Sequence, residues 1–153
     1  MSASNRAAPL AAIGQRAAGE LVRAVPPGAG VVGVGVDAVD IPRFAEMLAR
    51  RPGLADRLFT VGELAYADAA GDPVPRLSTR FAAKEAVMKA LGVGLGAFAF
   101  HEVEVVRSGL DAPVLAVRGA AHGLAFDAGV GTWHLALSHT DLVAMALVVA
   151  VTL

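Results

Sequence analysis

Lys84, Glu85 and Lys89 lie within one segment, Arg80 to Leu91, whose remaining residues are mostly small or apolar. On a helix the two lysines are about 140° apart, with Glu85 between them. Such a helix can offer one carboxylate and two ammonium groups to a polyanion while Ala82, Ala83, Ala86 and Ala90 pack closely. A metal-bound pyrophosphate would need that set. The lysines could also be an ordinary solvated face; phosphate is the sharper reading, since lysine serves it as a compact point charge.

A further carboxylate, Asp37, follows directly on the apolar run Val31 to Val36. One reading is a turn or cap residue. The other is a ligand for Mg²⁺, which takes one or two carboxylates and completes its shell with substrate phosphates and water. Asp37 and Glu85 would suffice if the fold brings them together. Asp40 is either a third carboxylate or the cap of a helix starting near Ile41. Ser138-His139-Thr140 lies between two apolar strands. It reads as a polar hairpin, or as a site where His139 donates to a phosphate.

Other chemistries fit poorly. Ser138 and His139 are adjacent, and the G-x-S-x-G turn of a serine hydrolase is missing. His101, His122 and His134 show no metal-ligand spacing and read as structural or surface residues. Gly33-Val34-Gly35 lacks the third glycine of a dinucleotide fingerprint and runs into Asp37. Gly92 to Gly96 follows a helix, not a strand, so it is no phosphate loop.

The elements that must position these residues follow from patterning. Val31 to Asp37 predicts a buried first strand ending on the carboxylate. Pro42 starts a helix continued by Arg43, Phe44, Met47 and Leu48. Thr60 and Glu63 form a capping box for a helix through Tyr66. A longer helix runs from about Pro75 to Leu91, with Gly92 at its left-handed C-terminal position. The second half predicts strands over 101–106, 114–118, 133–138 and 143–152, with a short helix over 120–128. The class is α+β, a mainly antiparallel sheet packed with helices.

Residues 1–30 stand apart as an N-terminal extension and linker. Leu10, Ile13, Ala17, Leu21 and Val25 suggest an amphipathic helix before Pro26-Pro27-Gly28. Residues 31–153 form the main domain. The net charge of −1 supplies no global field for nucleic acid, so an anion site must be local. With no cysteine, disulfides and thiolate metal sites are excluded, and a reducing cytoplasm is permitted. No apolar run reaches the length that crosses a bilayer. The 56% hydrophobic composition, with only 18% charged residues, points to surface hidden in an oligomer.

Four motifs together resemble the holo-acyl-carrier-protein synthases, the short class of 4′-phosphopantetheinyl transferases. They are Gly33-Val34-Gly35-Val36-Asp37 through Arg43, Phe59-Thr60 with Glu63 and Tyr66, Arg80 to Gly92, and Ser138-His139-Thr140. Their order and spacing span residues 31–153; residues 1–30 have no counterpart. Ala38 and Asp40 depart from the family's usual residues without removing a required group.

The resemblance implies transfer of phosphopantetheine from coenzyme A to a serine of an apo acyl carrier protein, releasing adenosine 3′,5′-bisphosphate. It implies Mg²⁺ on Asp37 and Glu85, and catalytic roles for Asp37, Lys84 and Glu85; the base that takes the serine proton is read here as Glu85 or a metal-bound water near it. Lys84, Lys89, His139 and Arg80 would contact coenzyme A. Arg43, Arg50 and Arg51 would dock the acidic carrier. Family members are homotrimers with active sites between subunits; composition and charge add the expectation of a cytoplasmic protein with neither nucleic acid nor membrane as partner. The competing readings are a non-catalytic coenzyme A or carrier-binding module and an unrelated Mg²⁺-dependent nucleotide hydrolase.

Overall fold

Val31–Asp40 form the first strand, β1. The strand runs past Asp37, its expected end, because Val143 to Ala146 extend the antiparallel ladder as far as Asp40. It is also buried on one face only. Gly35, Asp37 and Val39 point inward, while Val34 and Val36 on the other face are 56% and 46% exposed. A computed structural model describes residues 27–152 of the chain, apart from 108 and 110. The helix expected over residues 10–25 lies outside the described residues.

Helix α1 (Ile41–Arg50) begins without a loop. Asp40 caps it, its Oδ1 accepting from the Arg43 amide at 2.9 Å, with Pro42 in the first turn. A short helix α2 (Leu54–Leu58), absent from the sequence-based expectation, precedes α3 (Val61–Asp68). The capping box that starts α3 is present as expected: the Glu63 amide donates to Thr60 Oγ1 and the Thr60 amide to Glu63 Oε2. Helix α4 (Val74–Leu91) stops at Gly92, whose φ of 67° is left-handed.

The second half comprises a 3₁₀ turn (Phe100–Glu102), β2 (Val103–Val106), β3 (Val114–Val117), α5 (Gly119–Asp127), β4 (Thr132–His139) and β5 (Val143–Val151). The expected strand over 101–106 is thus shorter, its start replaced by the 3₁₀ turn. All strand pairs are antiparallel, but they form two sheets, β1-β5-β4 and β2-β3. The α+β class holds.

Helix α4 is the centre of the core. From Leu77 onward only Lys89 is exposed. Its Leu77 and Val87 pack in one core with Val39, Phe44, Phe59 and Val103 from the surrounding elements. Its approach to β1 demands glycine: a Cβ at Gly35 would lie 1.8 Å from the Ala86 carbonyl oxygen, and one at Gly33 would lie 1.9 Å from that of Ala90. Backbone meets backbone there, so no side chain can yield. Gly35→Ala should cost about 3 kcal/mol or more, the upper range for overpacking. Urea denaturation reads this; an unchanged midpoint would contradict the contact.

Candidate active site

The β1–α4 contact carries Asp37 on the strand and Glu85 and Lys89 on the helix into one cluster. Lys89 Nζ lies 2.7 Å from Asp37 Oδ1 and donates at 2.9 Å to the Val36 carbonyl. Asp37 is only 9% exposed. Glu85 adjoins it closely enough for the two carboxyls to interact. Burial and then the Asp37 carboxylate push the Glu85 carboxyl up, and Lys89 pulls it partly back.

Asp37 and Glu85 line a concavity of about 730 Å³ that also takes in Arg43, Arg50, Arg51 and Phe81. Phe44, Phe81 and Phe100 stack in series beneath it, with centroids 5.0 and 5.5 Å apart. The expected acidic pair and the expected docking arginines therefore share one surface. Arg50 is lightly held by an exposed pair with Glu46 at 3.7 Å, an interaction of little energetic weight.

The donor set suits a hard divalent ion. Two carboxylates crowd together, and an ammonium already stands against one of them in a cation's place. Among the described residues no three His, Cys, Asp or Glu side chains cluster. An ion on Asp37 and Glu85 would thus keep positions for phosphate oxygens and water, as Mg²⁺ favours.

Lys84 requires a correction. Expected on a phosphate and in catalysis, it is fully buried. Its Nζ lies 2.8 Å from Glu63 Oε2, donates to the Phe100 carbonyl at 3.0 Å, and also donates to the Val103 carbonyl. Those acceptors use all three ammonium protons. Burial pushes its pKa down, and Glu63 opposes the shift. Glu63 is equally committed, accepting from the Val105 amide at 2.8 Å and the Thr60 amide at 3.0 Å. The pair ties α3, α4 and β2 together. Glu85, about 100° further round the helix, points the other way.

Arg80 and His139 come together elsewhere, in a second concavity of about 290 Å³ with Tyr66, Arg76, Arg107 and Ser138. The Arg80 and Arg76 guanidinium carbons sit 4.1 and 4.5 Å from the Tyr66 ring centroid. Arg80 is 3% exposed, and its Nε has no partner among the described residues. Burial lowers its pKa, yet a guanidinium stays charged at neutral pH. Such a basic cleft fits an anion.

Residues 33–147 match the family described as the 4′-phosphopantetheinyl transferase superfamily. The chain belongs to that superfamily. A relative from Frankia casuarinae, a "Holo-[acyl-carrier-protein] synthase", is 48% identical over 122 residues, covering 80% of this chain and 98% of the relative. The holo-[acyl-carrier-protein] synthase structure from Neisseria meningitidis aligns with a TM-score of 0.71 at 32% identity, over 78% of this chain and 98% of that one. A Chronobacterium ammoniagenes enzyme–coenzyme A complex aligns at 0.68 with 30% identity, over 79% and 97%.

The superfamily match includes every candidate site residue named above. Sequence reasoning missed Arg76 and Arg107, and saw Glu63 only as a cap. Glu63 and Tyr66 stand three apart in one quoted motif, a spacing that places both on one helical side; their partners on α4 are not visible from that motif alone. Lys84→Met should leave Glu63 buried and unpaired, costing about 3–5 kcal/mol. Adding Glu63→Gln should recover part of the loss. Equal denaturation midpoints for wild type and Lys84→Met would contradict the pairing.

Proposed function

We propose that this superfamily member transfers the 4′-phosphopantetheine group of coenzyme A to a serine hydroxyl of an apo acyl carrier protein. The serine Oγ–phosphorus bond forms at the phosphate bearing the pantetheine. The bond from that phosphorus to the bridging pyrophosphate oxygen breaks, and adenosine 3′,5′-bisphosphate leaves. The convergence of Asp37 and Glu85 in a concavity edged by Arg43, Arg50 and Arg51, with Lys89 paired to Asp37, carries this reading. The relatives named as synthases and the neighbour solved with coenzyme A support it.

The difficulty of the reaction is charge, because an alcohol oxygen must approach an anionic pyrophosphate. Mg²⁺ held by Asp37 and Glu85 would supply neutralisation of the phosphate oxygens. Glu85, or a water held beside it, would accept the serine proton. Lys89 contributes positive charge to the phosphates. Arg43, Arg50 and Arg51 orient an acidic carrier, a role that sets association rate more than bond energy. No helix of the described residues is long and apolar enough to cross a membrane, and neither feature calls for nucleic acid. A cytoplasmic location completes the reading.

The Arg80–His139 cleft would hold the adenosine phosphates, yet it shares no lining residue with the Asp37–Glu85 concavity. Two half-sites on one chain favour a homotrimer, each reaction centre being completed by a neighbour. The sheet face that exposes Val31, Val34 and Val36 is apolar enough to be buried in such an assembly.

Incubation with coenzyme A, Mg²⁺ and apo carrier should add one phosphopantetheine to the carrier's serine, read by intact mass. Asp37→Ala and Glu85→Gln should each lower kcat/KM at least about 100-fold. Wild-type turnover by either variant would refute the acidic pair. Refolding Asp37→Ala mixed with His139→Ala should recover activity that neither shows alone. A mixture as inactive as its components would exclude a site shared between subunits.

A further inference from the structure

The chain contains two lysines, Lys84 and Lys89, among thirteen Lys and Arg residues, and both lie on α4. Their settings are opposite. Lys84 is fully buried with three protein acceptors. The Lys89 side chain is 54% exposed and holds Asp37 Oδ1 and one neutral carbonyl. We infer that Lys89 is a resident counter-cation for Asp37 that a divalent ion displaces, so that loading the ion frees the Lys89 ammonium for phosphate. This rests on the reading of Asp37 and Glu85 as the ion's ligands.

Three observations carry it. Asp37 is nine-tenths buried, and a buried carboxylate without a compensating charge is costly. Lys89 supplies that charge. The ammonium also occupies one of the two oxygens Asp37 can offer an ion. A divalent ion close to Asp37 Oδ1 would face a like charge 2.7 Å from that same oxygen, a repulsion that favours departure of the ammonium. Finally, Lys89 is built to leave. Its ammonium is a point charge on a flexible four-carbon stem, not the bidentate fork of an arginine, and its remaining bond is to the Val36 carbonyl alone.

The ammonium makes its ion pair with Asp37, at 2.7 Å, and Glu85 stands beside that pair. Exchange of the ammonium for a doubly charged ion serves both carboxylates. By reciprocity, phosphate that engages the freed ammonium must in turn tighten the ion. Ion and coenzyme A then bind interdependently instead of filling two ready sites.

The test uses the full chain without coenzyme A, with Mn²⁺ alone as probe and free Mn²⁺ read by electron paramagnetic resonance. Lys89→Met should tighten Mn²⁺ binding about fivefold, the factor for no longer breaking an ion pair of this exposure. Arg43→Met is the control. Arg43 lines the same concavity but pairs with neither carboxylate, so its removal reports the general field and should tighten binding much less. Glu85→Gln should weaken binding. If Glu85→Gln weakens binding while Lys89→Met does not tighten it beyond Arg43→Met, the exchange is overturned and the acidic pair stands. If wild type binds no Mn²⁺ and Glu85→Gln changes nothing, both readings fall.

A second measurement needs no variant to fold well. In ¹⁵N-lysine-labelled wild type, Mg²⁺ alone should shift the Nζ signal of Lys89 and leave that of Lys84 in place. A Lys89 signal unmoved at saturating Mg²⁺ overturns the exchange.

Discussion

The close contact between β1 and α4 is the constraint on which the rest depends. Two glycines on the strand meet the carbonyls of Ala86 and Ala90 with no room for a methyl group. The alanines give the helix a face flat enough to accept the strand. Because strand and helix touch backbone to backbone, groups borne along one and in the last turns of the other become neighbours. Asp37, Glu85 and Lys89 are neighbours for that reason. A wider spacing would leave three unrelated charges.

A contact line alone does not set how far the helix is rotated. The Lys84–Glu63 pair does so from the other side. It anchors α4 to α3 and to the start of β2 through one ammonium and one carboxylate, each with its hydrogen-bonding capacity spent on named partners. Buried ion pairs are poor sources of net stability, and their value lies in the single geometry they permit. Here that geometry turns Glu85 toward the strand. One motif thus carries two lysines with divided duties, one fixing the helix and one facing the chemistry.

Much of this was legible in the sequence, for local reasons. The capping box at Thr60, the stop at Gly92 and the length of α4 are encoded within a few residues of where they act. That Asp37 and Glu85 could share a site was inferred from their chemistry, and the β1–α4 contact sets the two carboxyls beside each other. What could not be read was non-local. β1 continues to Asp40 because of its partner strand, and its valines face outward because the glycines and Asp37 take the inner face. Lys84 looks like Lys89 in sequence. Only the position of Glu63 on another helix separates them. Arg76 and Arg107 gain meaning only once Tyr66 and His139 define a cleft between them.

The account's central claim is that two carboxylates distant in sequence hold one divalent ion beside the substrate phosphates. Anomalous diffraction from crystals of the protein grown with Mn²⁺ and coenzyme A tests it most directly. The account predicts a single strong peak between the Asp37 and Glu85 carboxylates and in contact with the pyrophosphate. Coenzyme A bound with its pyrophosphate away from that pair, or a peak held by other side chains, would contradict it.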